Sequence, residues 1–246
     1  MAEKPTKKVV RVEADPAAAH SDPTWKPTPE SKGKATTFRI IAVALWLIAI
    51  GGEAFAIFWV LKQNPVNLIL LIGILVGIAV FAIGGSLLWK RANRFDPAST
   101  ANPVRFFVQN QLGAIITVIA FLPLIILIFL DKNMHGKQKG IAGAIAIVLL
   151  LVAGYFGVST NPPSVEQYVA ETQVVVGYTG ADLVFWTKSG NVYHLCEAAS
   201  AVNQESQDNT IYSGTVVAAH EAGKDRLTLQ VDQELAQCGL DGGSSQ

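Results

Sequence analysis

Four apolar runs, each close to the length that crosses a lipid bilayer, lie between residues 40 and 158 and leave few folds open to this chain. The first is IIAVALWLIAIGGEAFAIFWVL, residues 40–61, and the second is VNLILLIGILVGIAVFAIGGSLLW, residues 66–89. The third covers residues 111–130 and the fourth residues 141–158. At a rise of about 1.5 Å per residue, some 20 apolar residues span a hydrocarbon core about 30 Å thick. Core helices of a soluble protein are the alternative, but four consecutive runs of near-membrane length argue against them. Only 15% of the 246 residues are charged, against about 25% in ordinary soluble proteins, and the deficit is concentrated in these runs. Pro123 falls inside the third, where a membrane helix tolerates it as a kink, and Asn161-Pro162-Pro163 stops the fourth. The expected fold is an α-helical membrane protein with four transmembrane helices over residues 38–160 and a small α+β C-terminal soluble domain.

The two ends read differently from the middle. Residues 1–37 are rich in Pro, Lys, Glu and Ala without a sustained apolar period, which predicts a disordered N-terminal tail. No short apolar stretch with a small-residue cleavage site opens the chain, so no removable signal peptide is expected. Residues 164–246 form the soluble domain. Ser164 opens SVEQ, a capping-box pattern. TQVVVGY, DLVFWT, NVYHLC and RLTLQV read as strands, with Lys188-Ser189-Gly190 as a hairpin turn between the second and third. VVAAHEAG reads as a short helix capped by Ser213 or Thr215 and ended by Gly223.

Lys and Arg in the short loops set the expected orientation. They crowd the tail and the loop containing Lys90, Arg91, Arg94 and Arg105, whereas the first hairpin loop offers only Lys62. The N-terminus is therefore expected in the cytoplasm of a multi-pass plasma-membrane protein. Four spans return the C-terminal domain to the same side, although Lys132, Lys137 and Lys139 weigh against it, and a disulfide in that domain would favour the outer face. A formal net charge of zero provides no field for nucleic acid.

Glu53 is the one Asp, Glu, Lys, Arg or His inside the apolar runs. A charge near the middle of a bilayer costs at least about 2.5–3.5 kcal/mol on insertion scales. The acid is therefore expected to be protonated, or to face a partner helix or water. A proton relay would need companions that the other spans lack, so Glu53 reads as an intramembrane polar contact. Gly51 and Gly52 precede it, Gly73 and Gly77 form a GxxxG, Gly84 and Gly85 follow two turns on, and the fourth run is rich in Gly and Ala. Small residues let helices approach closely where lipid removes the hydrophobic drive, so these glycines are expected at helix contacts.

Cys196 and Cys238 are the only cysteines. They would pair in an oxidising compartment and stay reduced in the cytoplasm. With His194 and His220 they also make a weak zinc candidate of two sulfurs and two nitrogens, although one residue between His194 and Cys196 is an unusual ligand spacing. Trp186 and Tyr193 read as core aromatics. The chain carries no phosphate-binding loop, dinucleotide-binding glycine pattern, HExxH, haem-attachment motif or nucleophile elbow. A catalytic site and a cofactor are not expected.

Read with the four preceding spans, FWTKSGNVYHLCEAASAV and IYSGTVVAAHEAGKDRLT give the chain a resemblance to actinobacterial membrane proteins. It is similar to the small accessory subunits of the respiratory cytochrome bc–aa3 supercomplex. The pattern near residues 213–223, after a strand containing YHLC, also resembles a small Cys-containing module appended to various bacterial proteins. More cysteines are usual in that module, and the final one here is single, which puts metal binding in doubt. The resemblance implies a lipid-embedded subunit without haem, copper or iron–sulfur ligands that holds cytochrome bc and cytochrome aa3 oxidase subunits together and carries no electrons. Two other readings compete with it: a small transporter or proton-conducting protein using Glu53, and a sensor whose Cys/His module responds to metal or redox state.

Overall fold

The computed structural model describes residues 7–12, 26–206 and 208–240. The protein is mainly helical, with four helices long and apolar enough to cross a membrane and a small C-terminal region containing few strands. These four are α1 (Pro29–Phe55), continued by a π-helical turn over Ala56–Val60, then α2 (Leu68–Phe95), α3 (Pro103–Leu130) and α4 (Gly136–Gly157). Each starts or ends in polar sequence outside the apolar run. In the first turns of α1, Thr36 and Thr37 hydroxyls donate to the carbonyls of Lys32 and Gly33, and Asn102 caps α3 by accepting from Arg105 N at 3.1 Å. Pro123 sits within α3, which continues past it.

The chain divides into two compact units. One contains Lys32–Asn93 and Asn102–Pro162, the membrane helices. Its core is built from Leu71, Leu75 and Ile78 of α2 with Phe121, Leu124 and Ile128 of α3 and alanines of all four helices. The other contains Met1–Ser31, Arg94–Ala101 and Pro163–Gln246.

The soluble unit is α+β, with different elements from those the sequence predicts. Ser164 caps α5 (Val165–Thr179), accepting from Gln167 N at 3.0 Å. TQVVVGY is the second half of that helix and not a strand. Its β-branched residues favour a strand locally, but the cap upstream and burial of Tyr168, Thr172 and Val175 on one face hold it helical. Gly180 ends it at φ 74°, a left-handed conformation that glycine adopts without strain. Then come β2 (Val184–Trp186), β3 (Val192–Tyr193), α6 (Ser200–Glu205), β4 (Thr210–Gly214), α7 (Val216–Glu221), β5 (Arg226–Leu227) and α8 (Val231–Cys238). Of the two predicted caps of α7 it is Thr215 that accepts from Ala218 N. The strands of NVYHLC and RLTLQV are only two residues each, and Val231 opens α8 instead of closing a strand.

The predicted hairpin is also altered. β2 and β3 form no ladder; Phe185 of β2 instead exchanges both backbone hydrogen bonds with His194, the residue after β3. β2 pairs antiparallel with β4, while β3 pairs parallel with β5. The remaining strand comes from the stretch expected to be disordered. β1 (Lys8–Arg11) pairs parallel with β4, Val9 opposite Ile211, and makes a sheet of order β1-β4-β2. The tail reading is thus corrected at residues 8–11 and from Pro29 onward; its other parts at 1–6 and 13–25 lie outside the described residues. A four-residue strand has no signature of its own in a polar tail, because the edge that orders it lies some 200 positions away.

Candidate functional site

Within the membrane unit, Glu53 lies on α1 between two buried alanines, Ala49 and Ala56, one turn on either side. The residue is 6% exposed. Its carboxyl lies against the backbone amide of Leu124, the residue after Pro123 on α3. Oε1 is enclosed and has no hydrogen-bond partner. The acid thus faces protein, not lipid, and one of its two oxygens remains unsatisfied.

The glycines sort into two sets. A β-carbon added at Gly52 would lie 3.3 Å from Ile78, at Gly84 3.4 Å from Leu45, and at Gly85 2.5 Å from Trp46 Nε1. These three hold α1 and α2 together, and the Trp46 indole also donates to the Ala82 carbonyl at 3.3 Å. Gly51, Gly73 and Gly77 have no atom within 4 Å of such a carbon, so among the described residues nothing packs onto the GxxxG where its side chains would stand. At the α3–α4 contact a β-carbon at Gly143 would run into the Phe129 ring and one at Gly157 would sit 2.8 Å from Ala114 N, while one at Gly113 would lie 2.8 Å from Ser86 Oγ of α2. Gly113 had no place in the sequence reading, because an isolated glycine shows no spacing pattern until its facing helix is known.

The cysteine and histidine candidates separate in the soluble unit. Cys196 and Cys238 form a disulfide with Cα atoms 6.1 Å apart, joining the segment after β3 to the end of α8. His194 Nδ1 lies 2.5 Å from Glu234 Oε1, both side chains buried, and Glu234 Oε2 accepts from Leu195 N at 3.0 Å. His220 is held elsewhere. Its Nδ1 faces the Lys224 carbonyl at 3.0 Å, and its Nε2 faces Glu171 Oε2 at 2.8 Å. The four proposed zinc ligands therefore do not converge: the sulfurs are spent on each other and each imidazole has its own glutamate. Among the described residues no group of three or more His, Cys, Asp or Glu is placed to hold a metal ion.

Around His220 the unit builds a closed polar cluster. Because the Lys224 carbonyl can only accept, Nδ1 must carry hydrogen. Glu171 accepts from the Tyr193 hydroxyl and, through Oε1, from Gln167 Nε2 at 2.9 Å. Burial pushes the Glu171 carboxyl up, but the His220 ring and the hydrogen bonds from Tyr193 and Gln167 outweigh it and hold the group below its ordinary value. The Tyr168 ring stacks on His220 with centroids 4.1 Å apart, and its hydroxyl donates to the Arg94 carbonyl at 3.1 Å. Burial pushes the Tyr168 and Tyr193 hydroxyls well above the usual phenol range. Arg94 in turn pairs with Asp225 at 2.9 Å. Burial also raises Glu166, yet hydrogen bonds from Ser99 Oγ and Thr100 N bring its carboxyl down to about 2. The cluster thus fastens segment 94–101 to α5 and α7 inside one unit. Trp186 and Tyr193 are core residues, 2% and 0% exposed.

Glu171 and Glu234 were absent from the sequence-based candidates. Glu234 carried a readable signal, since it lies four residues before Cys238 in VDQELAQC and so shares its helix face. Glu171 carried none apart from its position one turn after Gln167.

Comparison with known proteins adds no identity. No known protein family, curated protein or solved structure matches this chain.

Proposed function

We propose that the protein is a non-catalytic accessory subunit of a plasma-membrane complex, docking through its membrane helices while its soluble unit presents a rigid surface. The observation that carries this reading is the free GxxxG of α2. Gly73 and Gly77 have open space where a β-carbon would stand, and Ile69, Val76 and Val80 are exposed beside them. Small residues one turn apart allow another helix to approach backbone to backbone. Elsewhere in the unit, at Gly85, Gly113 and Gly157, close approach is already used by the chain's own helices.

The sequence resemblance suggests the partners: cytochrome bc and cytochrome aa3 oxidase subunits of a respiratory supercomplex. The soluble unit belongs, on this reading, to the extracytoplasmic face, because the Cys196–Cys238 disulfide persists in an oxidising compartment, against the bias of Lys and Arg flanking the spans. Purification in mild detergent through a tag on this chain should recover respiratory subunits in fixed ratio. Gly73→Ile with Gly77→Ile should abolish that recovery without unfolding the chain. Recovery of the chain alone from wild type would sink the proposal. A membrane-impermeant thiol reagent, applied to intact cells after reduction, should label Cys196 and Cys238; absence of labelling reverses the placement.

A further inference from the structure

Docking makes no use of Glu53, and its surroundings carry a separate inference. The carboxyl is enclosed, Oε1 has no partner, and the other contact is a backbone amide of α3. Among the described residues no cation is paired with it. On α1 the nearest charges are Arg39 and Lys62, 14 residues before and 9 after. On α2 none lies between Leu68 and Trp89, on α3 none between Phe106 and Leu130, and on α4 none between Gly140 and Gly157. An ionised carboxylate would stand as a bare charge beside Ala49 and Ala56 of its own helix and Leu124 of α3, all members of the apolar core. The neutral acid removes that charge and is the form this enclosure accepts.

Both helices that meet at Glu53 are irregular there. The π-helical turn begins at Ala56, three residues on, and such turns interrupt the regular hydrogen-bond ladder, frequently at functional positions. On α3, Pro123 has no N–H to give the carbonyl four residues earlier. Purely structural burial of an acid would pair both oxygens; here one is left open beside two irregular helical turns.

We propose that Glu53 is a proton-binding site within the membrane, occupied by one proton at neutral pH, and that the contact among α1, α2 and α3 depends on its occupancy. The ligand is the proton itself. Binding converts carboxylate to carboxylic acid with no other bond made or broken, and release leaves a charge that the surrounding side chains cannot solvate.

The test is infrared difference spectroscopy on the full chain in lipid, with wild type compared against Glu53→Gln. The carbonyl stretch of a neutral carboxylic acid should be present at pH about 8, far above the ordinary carboxylate range near 4, and should vanish in the variant. Raising the pH further should remove the band and loosen the helix packing of wild type, while Glu53→Gln stays unaffected. Absence of a neutral-acid band from folded wild type at pH about 8, or a band that survives the substitution, overturns the proposal. If Glu53→Gln does not fold, Glu53→Asp replaces it: the band should move in position, and an unmoved band overturns the proposal equally.

Discussion

The membrane unit and the soluble unit bury their interiors with different chemistry. In the first, helices meet at positions without side chains: Gly157 against Ala114, Gly85 against Trp46, Gly52 against Ile78. Polar contacts there are single hydrogen bonds, some within one helix, as Thr117 donating to the Gly113 carbonyl at 2.8 Å, and some between helices, as Asn93 Nδ2 donating to Asn110 Oδ1 at 3.1 Å. The soluble unit has short elements, with no strand longer than five residues among those described. It compensates with a disulfide, two His–Glu pairs and a strand recruited from the tail. In lipid, where apolar surface has no water to escape, association depends on shape. In water a unit of this size has a small core relative to its surface, and covalent and polar ties make up the difference.

Substitutions that act on one unit and spare the other test this contrast. The largest effect is expected from the disulfide. It closes a separation of 42 residues, worth about 4 kcal/mol on the chain-entropy account. Reduction, or Cys196→Ser with Cys238→Ser, should lower the unfolding midpoint of the soluble unit strongly and leave helix unfolding in detergent in place. A single shared transition would show that the two units do not unfold independently.

Next in size is Gly157→Val. Its β-carbon would meet backbone atoms of α3 at 2.8–2.9 Å, which no rotamer change relieves. A loss of about 1–3 kcal/mol is expected, read in the thermal stability of the membrane unit and not in that of the soluble one.

Acid should act in the opposite sense, on the soluble unit. Glu171 has a lowered value in the folded state, so its contribution is fully present above the ordinary carboxylate range of about 4 and is lost as pH falls through the depressed folded value. Glu166, at about 2, should extend that loss further down. Stability measured between pH about 6 and pH about 2 should therefore decline, and Glu171→Gln should flatten the decline. A variant as acid-sensitive as wild type would remove Glu171 from the account.

The smallest effect on the isolated chain is expected at Gly73→Ala, where the added carbon meets nothing. Stability should stay within about 0.5 kcal/mol of wild type. A larger loss would mean that this face already packs inside the molecule, and would count against α2 as the docking helix.

Much of the architecture was legible because it rests on local properties. Run length and apolarity fix α1–α4 whatever their neighbours do, since a backbone in hydrocarbon must satisfy its own hydrogen bonds. Ser164 and Thr215 likewise mark the starts of α5 and α7 through bonds within three residues. The sequence also determined that Glu53 would be the lone acid in the spans. Tertiary structure decided the remainder. It turned TQVVVGY into helix by burying one face, and it ordered Lys8–Arg11 by offering the edge of β4. It separated the glycines at helix contacts from those left open, and it gave His194 and His220 to different glutamates. These outcomes depend on contacts between residues far apart in the chain, whose energies exceed the small local preferences that a sequence displays. Local hydrogen bonding and transfer from water could be read along the chain; pairing across it was settled only by folding.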